Sequence, residues 1–143
     1  MAITQAVCAS FKKELLSGTH NLASGGDTFY MALYTSAATL NGVVTASYTT
    51  GSQVANSGQY TAGGGVLAGQ QVSLSVTTAI VDFSDRSWTG VTITARGALI
   101  YNTTEAKKAV CVLDFGADKT ATSGTFTVQF PAFSSTAAIL RIS

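Results

Sequence analysis

The feature that most restricts the fold of this chain is an alternation of apolar and polar residues, repeated in short segments that turn sequences separate. The clearest segments read TFYMALYT, QVSLSV, VTITARGALIY, AVCVLDF and TFTVQF. Because successive side chains of a β-strand lie on opposite faces, a period of two predicts strands. No helical segment of about 10 to 15 residues lies between them, which argues against parallel βαβ units. We therefore predict a mainly β fold of about eight antiparallel strands.

This strand pattern also indicates an architecture. Short strands without connecting helices are typical of a two-sheet antiparallel sandwich, and the jelly roll is the form that we expect. The pattern alone does not distinguish a jelly roll from an immunoglobulin-like topology. The chain has 143 residues and no internal repeat, so we predict a single domain over residues 1–143, with strands within residues 28–143.

The N-terminal segment, residues 1–18, is the one good helix candidate. Its apolar residues recur every four positions, as on one face of a helix, and Gly18 follows them where a helix often ends. These residues are Ile3, Val7, Phe11 and Leu15, with Leu16 beside them. We predict a helix in this segment.

Between the strands, several residues mark turns and irregularities. Residues 41–65 have a weak pattern that allows one short strand near VVTASYTT before a Gly-rich loop. The sequence SDRS predicts a turn before Trp88, and GADKTATSG predicts a longer loop. Gly97 interrupts an alternating segment and indicates a bulge or a close approach of two backbones. Pro131 ends the strand TFTVQF or places it at a sheet edge, and AAILRIS predicts the last strand.

Charged residues are scarce, and this restricts the class of partner. They form 10% of the chain, against about 25% in typical soluble domains, and the net charge is +1. The densest basic runs are only pairs, Lys12-Lys13 and Lys107-Lys108, so we predict no nucleic-acid partner. The first residues lack a signal-peptide pattern, and no stretch approaches about 18 apolar residues. We expect a protein that is cytosolic when made and has no membrane partner.

No segment of the sequence carries a convincing catalytic pattern. His20 is the only histidine; it lies in a polar loop without a GxSxG motif, and we expect it to be solvated. Ser10 and Lys13 match SxxK, but the partner motifs of that enzyme class are absent. A GxGxxA match begins at Gly63, yet a strand-like pattern follows it where a dinucleotide site needs a helix. We predict that the protein is not an enzyme and holds no cofactor or metal.

Four aspartates lie near predicted strand ends, where paired carboxylates could do glycosidase chemistry. They are Asp82, Asp85, Asp114 and Asp118. Asp82 and Asp85 could also bind calcium, but no EF-hand spacing supports this. We expect instead that the four aspartates face solvent or pair with Arg86, Arg96 or Lys119, and so hold turns and strand ends in place. An exposed Trp88 beside Asp85 and Arg86 would be the one arrangement suited to a glycan.

The two cysteines, Cys8 and Cys111, form no CxxC pair, so the redox and zinc spacings are both missing. Cys111 lies in AVCVLDF, where we expect a small buried hydrophobic side chain. The sequence leaves open whether the two thiols are free or joined in a disulfide.

Five phrases of the chain resemble the small virion structural proteins of tailed bacteriophages and prophages. They are ITQAVCASFKKELLSG, DTFYMALYTSAATL, YTAGGGVLAG, VDFSDRSWTGVTITARGALIYN and KAVCVLDFGADKTATSGTFTVQFP. They span nearly the whole chain, but they are packing and turn motifs that identify no site. The resemblance implies a capsid cement or decoration protein, which binds the outside of the major capsid protein shell, forms a dimer or trimer and resides on the virion.

If the resemblance holds, the N-terminal segment and exposed aromatic side chains are the candidate contacts with the capsid. These candidates are Phe11, Lys12, Lys13, Tyr30, Tyr34, Tyr48 and Tyr60. For each tyrosine, packing inside the fold is an equally good interpretation. Two other functions stay open, namely a structural role at the neck or tail of the virion and carbohydrate binding for host adhesion.

Overall fold

A computed structural model describes residues 2–131 and 138–142 of the chain. The fold is mainly β, with one short helix and two antiparallel sheets. In chain order the elements are β1 Ala6–Val7, α1 Ala9–Leu16, β2 Phe29–Tyr34, β3 Gly65–Val66, β4 Gln71–Ser75, β5 Thr78–Asp82, β6 Arg86–Asn102, β7 Lys108–Val128 and β8 Leu140–Ile142. The larger sheet has the order β1-β7-β6-β2-β3, and the smaller has the order β4-β5-β8.

The centre of the molecule is the long hairpin of β6 and β7, joined by the turn that NTTEAKK predicts. Its inner half pairs with β2, whose residues are buried on both faces except for the half-buried Tyr30. One hydrophobic core joins the sheets, because Val81 and Leu140 of the smaller sheet belong to the same cluster as Phe29 and Leu99 of the larger one.

Gly97 is both a bulge and a point of close approach, as its place in the alternation indicates. The register between β6 and β7 shifts between Ala95 and Gly97. A Cβ atom at Gly97 would lie 2.5 Å from the carbonyl oxygen of Leu113 and 2.8 Å from the side chain of Ile3. Only glycine leaves room for both neighbours.

The predicted helix over residues 1–18 is wrong in its first half. Residues 2–8 are extended and lie between two other segments: the amide of Thr4 donates to Leu40, and that of Cys8 donates to Val110. A helix here would leave these carbonyl groups without their partners. The helix begins only at Ala9, and Leu16, expected on its buried face, is 93% exposed. Gly18 follows the helix with a φ of 73°, as predicted.

Two further expectations about strands are also wrong. The segment GADKTATSG is not a loop but part of β7, and it is paired with β6 across a bulge. There the hydroxyl groups of Thr94 and Thr120 lie 2.9 Å apart on neighbouring strands, a contact that a local turn pattern does not reveal. The segment VVTASYTT forms turns and a single bridge from Ser47 to Lys108 instead of a strand.

The remaining predictions of strands and turns agree with the structure. The strand TFTVQF ends at Val128, before Pro131, and Trp88 follows a short loop near SDRS. The last strand, β8, covers Leu140–Ile142, while Ala137 and Ser143 of the predicted segment lie outside the described residues.

Candidate functional site

A groove of about 920 Å³ lies between α1 and the three-stranded sheet. The register of that sheet aligns apolar side chains in two rows on one face, because residues directly opposite in an antiparallel pair share a face. The inner row is Val72, Val81 and Leu140, and the outer row is Leu74, Ala79 and Ile142. On the other side, α1 contributes Phe11, Leu15 and Leu16.

Val81 and Leu140 of the inner row are covered, but Val72 at its end and the outer parts of both walls are open to solvent. Val81 and Leu140 belong to the core, whereas Ile142 is 62% exposed and Leu74, at the end of the outer row, is 68% exposed. Leu16 on the helix is almost fully exposed. Contiguous exposed apolar surface of this kind marks interaction sites in soluble proteins.

The one Lys or Arg side chain that the ladder leaves on the groove side, among the described residues, is Lys12 of α1. Arg141 lies opposite Ile80 in the ladder, so its side chain is on the other face of the sheet. No carboxylate lines the groove among the described residues. The groove therefore suits a partner that combines apolar side chains with an acidic group.

Of the three predicted contacts of the N-terminal segment, two line this groove. Phe11 is 1% exposed, so it forms the floor and supports the helix, and it is not an exposed contact. Lys12 is exposed at the rim, and Lys13 is exposed without lining the groove.

Two of the predicted tyrosines are buried, the alternative that the sequence leaves open. The hydroxyl of Tyr34 donates to the carbonyl of Thr49, and the hydroxyl of Tyr60 accepts from the amide of Leu33. Burial raises the pKa of Tyr60 to about 12 and raises that of Tyr34 as well. Both side chains stabilise the fold and cannot reach a partner.

The other two tyrosines, Tyr30 and Tyr48, are half-buried in an aromatic cluster that does not line the groove. Both contact Tyr101, whose ring stacks on that of Tyr48 with centroids 4.7 Å apart. The ammonium group of Lys107 lies 5.5 Å from the ring of Tyr48. Tyr30 and Tyr48 keep some exposed surface and so remain candidate contacts.

Trp88 is not the exposed aromatic side chain that a glycan site needs. It is 1% exposed and packs edge-on against Tyr60, with centroids 5.2 Å apart. The Arg86 guanidinium lies over its ring at 5.1 Å. Trp88 is a core residue because β6 turns it inward, and the glycan interpretation loses the residue on which it depended.

His20 is buried, so the expectation of a solvated loop residue is wrong. The loop after α1 folds back, and the imidazole lies 4.7 Å from the ring of Phe11. Its Nε2 lies 2.9 Å from Oε1 of Glu14, and its Nδ1 lies 2.9 Å from Nδ2 of Asn102. An amide nitrogen can only donate, so Nδ1 accepts and Nε2–H donates to the carboxylate.

Asn102 completes this network at the end of β6. Its Nδ2 also donates to Oδ2 of Asp27, and its Oδ1 accepts from the amides of Thr104 and Glu105. All four hydrogen bonds that the side-chain amide offers here are used within the fold. The network joins α1, its following loop and the β6–β7 turn.

The expected pairing with Arg96 is confirmed for Asp114 and Asp118, although both lie within β7 and not at a turn or strand end, and Asp85 holds the loop before β6. Arg96 lies 4.0 Å from Asp114 and 3.5 Å from Asp118, across the bulge of β7. Oδ1 of Asp85 accepts from the amide of Phe130. The fourth, Asp82, has a buried Oδ1 without a hydrogen-bond partner among the described residues.

Comparison with protein-family models, with curated proteins and with solved structures finds no match to the chain.

Within the described ranges, no helix is long and apolar enough to span a membrane, and no three His, Cys, Asp or Glu side chains lie together as metal ligands. Cys8 and Cys111 are free and buried. The GxGxxA match leads into β3 and β4, with no helix after it.

Sequence reasoning missed the groove itself, although one signal pointed to its exposed sheet. No Asp, Glu, Lys, Arg or His occurs between Asp27 and Asp82, a span that contains β2, β3, β4 and most of β5. A buried strand such as β2 needs no charge, but β4 is exposed and still has none. A solvent-exposed strand without charged residues indicates a surface that binds another protein.

Proposed function

We propose that this protein is a non-enzymatic structural protein of a tailed-bacteriophage virion, and most specifically a capsid cement or decoration protein. In this role it binds the outside of the major capsid protein shell and stabilises the shell against the pressure of packaged DNA. The observation that carries the proposal is the exposed apolar groove between α1 and the three-stranded sheet. The resemblance of the five phrases to virion proteins supplies the identity of the partner.

The groove suits a static structural contact. Its walls offer apolar surface that loses its water when a partner binds. Each Å² buried contributes about 25 cal/mol of favourable free energy. The chain has few charges to desolvate, so low-charge surface around the groove can be covered at little cost. A contact of standard size, about 1,600 Å² in total, extends well beyond the groove and would include the neighbouring loops.

Repetition over a shell would then make modest contacts effectively permanent. A dimer or trimer that binds several capsid subunits has a higher overall affinity, because after the first contact its second site is at a high effective concentration. The proposal places the protein on the virion surface after synthesis in the host cytoplasm, with no nucleic acid or membrane as partner.

The finer architecture belongs to the same proposal. We infer a two-sheet sandwich of jelly-roll type, a form that suits a rigid clamp. In support, the rings of Phe29 and Phe83 meet edge to face with centroids 5.8 Å apart, between the larger sheet and the segment after β5.

The direct experiment mixes the purified protein with heads of its parent phage that lack it, sediments them and counts bound copies per particle. Hundreds of copies at saturation, together with heads that resist heat better, are the expected result. A dozen copies or fewer would instead support the alternative, a neck or tail component. No binding would refute a virion role on the head.

Two substitutions connect this experiment to the groove. Leu16→Lys places a charge on the wall of the groove, and because Leu16 is 93% exposed the fold is expected to tolerate it. Val43→Lys is the matched control, since Val43 is 86% exposed and lies outside the groove. Head binding is expected to weaken at least tenfold in L16K and to stay unchanged in V43K. Equal binding by both variants would mean that another surface meets the shell.

A further inference from the structure

The outer edge of β4 is an open sheet edge in the described part of the chain. The strand order is β4-β5-β8, so β4 pairs with β5 on one side only. A two-residue loop, Val76-Thr77, connects β4 to β5 and makes Ser75 and Thr78 the first hydrogen-bonded pair. Hydrogen-bonded pairs alternate along an antiparallel ladder, so Val72 and Leu74 direct their backbone N–H and C=O groups away from β5.

Among residues 2–131 and 138–142, nothing gives this edge the features with which proteins usually protect an edge strand. Such features are charged side chains, a proline, a bulge or a covering segment. β4, Gln71–Ser75, contains no charge and no proline, and its pairing with β5 is regular. Four of its five residues are exposed, including the apolar Val72 and Leu74. Unprotected edges of this kind pair with other strands.

The tip of the hairpin adds a second observation. Val76 has a φ of 56°, a left-handed conformation that is costly for a β-branched residue, and its side chain is 87% exposed. The hairpin thus presents three apolar residues at alternate positions, Val72, Leu74 and Val76, along one strand and into its turn.

We propose that β4 pairs antiparallel with β4 of a second copy of this chain, across a two-fold axis at Ser73. In this register Val72 lies opposite the partner's Leu74, and Leu74 lies opposite the partner's Val72. Because these residues direct their backbone groups outward, each of the two pairs forms both ladder hydrogen bonds. The two small sheets become one continuous sheet of six strands.

A second copy is the partner that the strand itself favours. Identical strands meeting at a two-fold axis bring identical charges together, and β4 has none to repel. The Ser73 register is the one in which all five residues of the strand lie opposite a residue of the other copy. The contact is isologous and therefore closes as a dimer.

The dimer also deepens the proposed function, on which this step rests. In this register the outer row of each sheet continues into the inner row of the other copy. The two grooves therefore lie on one side of a single sheet. A two-fold pair of grooves can bind two capsid subunits at once and bridge them.

Cysteine substitution tests the register without any phage head. At the axis, Ser73 and the partner's Ser73 form a non-hydrogen-bonded pair with Cα atoms about 4.5 Å apart, within the roughly 4.4 to 6.8 Å that a disulfide spans. Ser73→Cys is therefore expected to cross-link to a dimer on mild oxidation. Ser75→Cys, on the same face of the same strand, is the control, because four residues of offset separate its Cα atoms by about 13 Å. The native thiols are buried, so the unsubstituted chain gives the background.

Sedimentation velocity over a wide range of concentration supplies the second readout. We expect the mass to double with concentration in the unsubstituted chain and to stay that of a monomer in Leu74→Lys, with unchanged circular dichroism. A monomer at every concentration, or Ser75→Cys cross-linking as fast as Ser73→Cys, would overturn the proposal. So would a dimer that persists in L74K. Head binding by a strictly monomeric protein would reject the dimer and keep the proposed function. A dimer that binds no heads would keep the dimer and reject the proposed function.

Discussion

Nε2 of His20 lies 2.9 Å from Oε1 of Glu14, a hydrogen bond that ties the loop after the helix back to the helix itself. Glu14 Oε2 also lies 3.9 Å from Nζ of Lys108, at the start of β7. Through Asn102 the same imidazole is joined to the end of β6. One buried ring thus holds the helix, and with it one wall of the groove, against the central hairpin.

Asn102→Ala is expected to lower the free energy of unfolding by about 2 to 4 kcal/mol. The substitution removes a donor to His20 and one to Asp27, and it leaves the amides of Thr104 and Glu105 without their acceptor. Urea denaturation measures the loss. Asn56→Ala, at an exposed loop residue whose side chain accepts from the amide of Ala62, is the control and should cost less than about 1 kcal/mol. Equal losses in both variants would contradict the importance of the buried network.

Gly64→Ala should destabilise the protein by about 3 kcal/mol or more. Gly64 has a φ of 88°, and a Cβ atom there would lie 1.7 Å from the carbonyl oxygen of Met31 in β2. Gly116→Ala separates the backbone strain from the close contact, since Gly116 has a φ of 80° with nothing within 4 Å of its Cβ position. It should cost only about 1 to 2 kcal/mol of backbone strain. Thermal and urea unfolding of both variants give the comparison, and similar costs would mean that the close approach is relieved by a small shift.

Stability should fall as the pH rises from about 10 to about 12. Burial raises the pKa of Tyr60 to about 12, against 10.0 for an unperturbed tyrosine. Above pH 10 the unfolded chain therefore loses the proton first and binds fewer protons than the folded chain. The contribution of Tyr60 is complete below the unfolded pKa and disappears as the pH approaches the folded one.

Urea denaturation at about pH 8 and about pH 11, in the unsubstituted chain and in Tyr60→Phe, measures this linkage. The decrease should be smaller in the phenylalanine variant. Burial also raises the pKa values of Tyr34 and Tyr101, so these two residues should cause part of the loss of stability in both proteins. An identical decrease in the two proteins would show that Tyr60 titrates normally.

Neither cysteine should react with a chromogenic disulfide reagent at about pH 8 in the folded protein. Both thiols are buried, and burial raises the pKa of Cys8 to about 11 and raises that of Cys111. Two thiols per chain should react in denaturant. A folded protein that releases one equivalent quickly would contradict the burial of Cys8 beside β7.

Much of the β-structure could be predicted because its cause is local. The alternation in FYMALY and in VTITARGALIY records which side chains each strand buries, and the turn between Asn102 and Lys108 follows from its own residues. Gly97 was predictable too, since glycine inside an alternating segment indicates that something lies close to the backbone.

The candidate site could not be predicted in this way. Phe11 and Lys12 were expected as contacts, but nothing in the sequence placed them opposite Val72 and Ile142, which lie far along the chain. The period of four that joins Ile3 to Phe11 is real, yet Ile3 is buried by an extended segment and Phe11 by a helix.

By itself, the sequence determined the class of fold, the positions of most strands and turns, and a surface with few charges. Only the tertiary structure decided where the helix begins, that His20 and Trp88 are buried, and that two apolar rows face the helix across an open groove. The physical reason is that the spacing of apolar residues along a segment reflects the helix or strand which that segment forms. The burial of a residue and its backbone partners depend instead on segments distant in the chain. Residues 2–8 show this most directly: they are extended because the carbonyl groups of Leu40 and Val110 accept their hydrogen bonds.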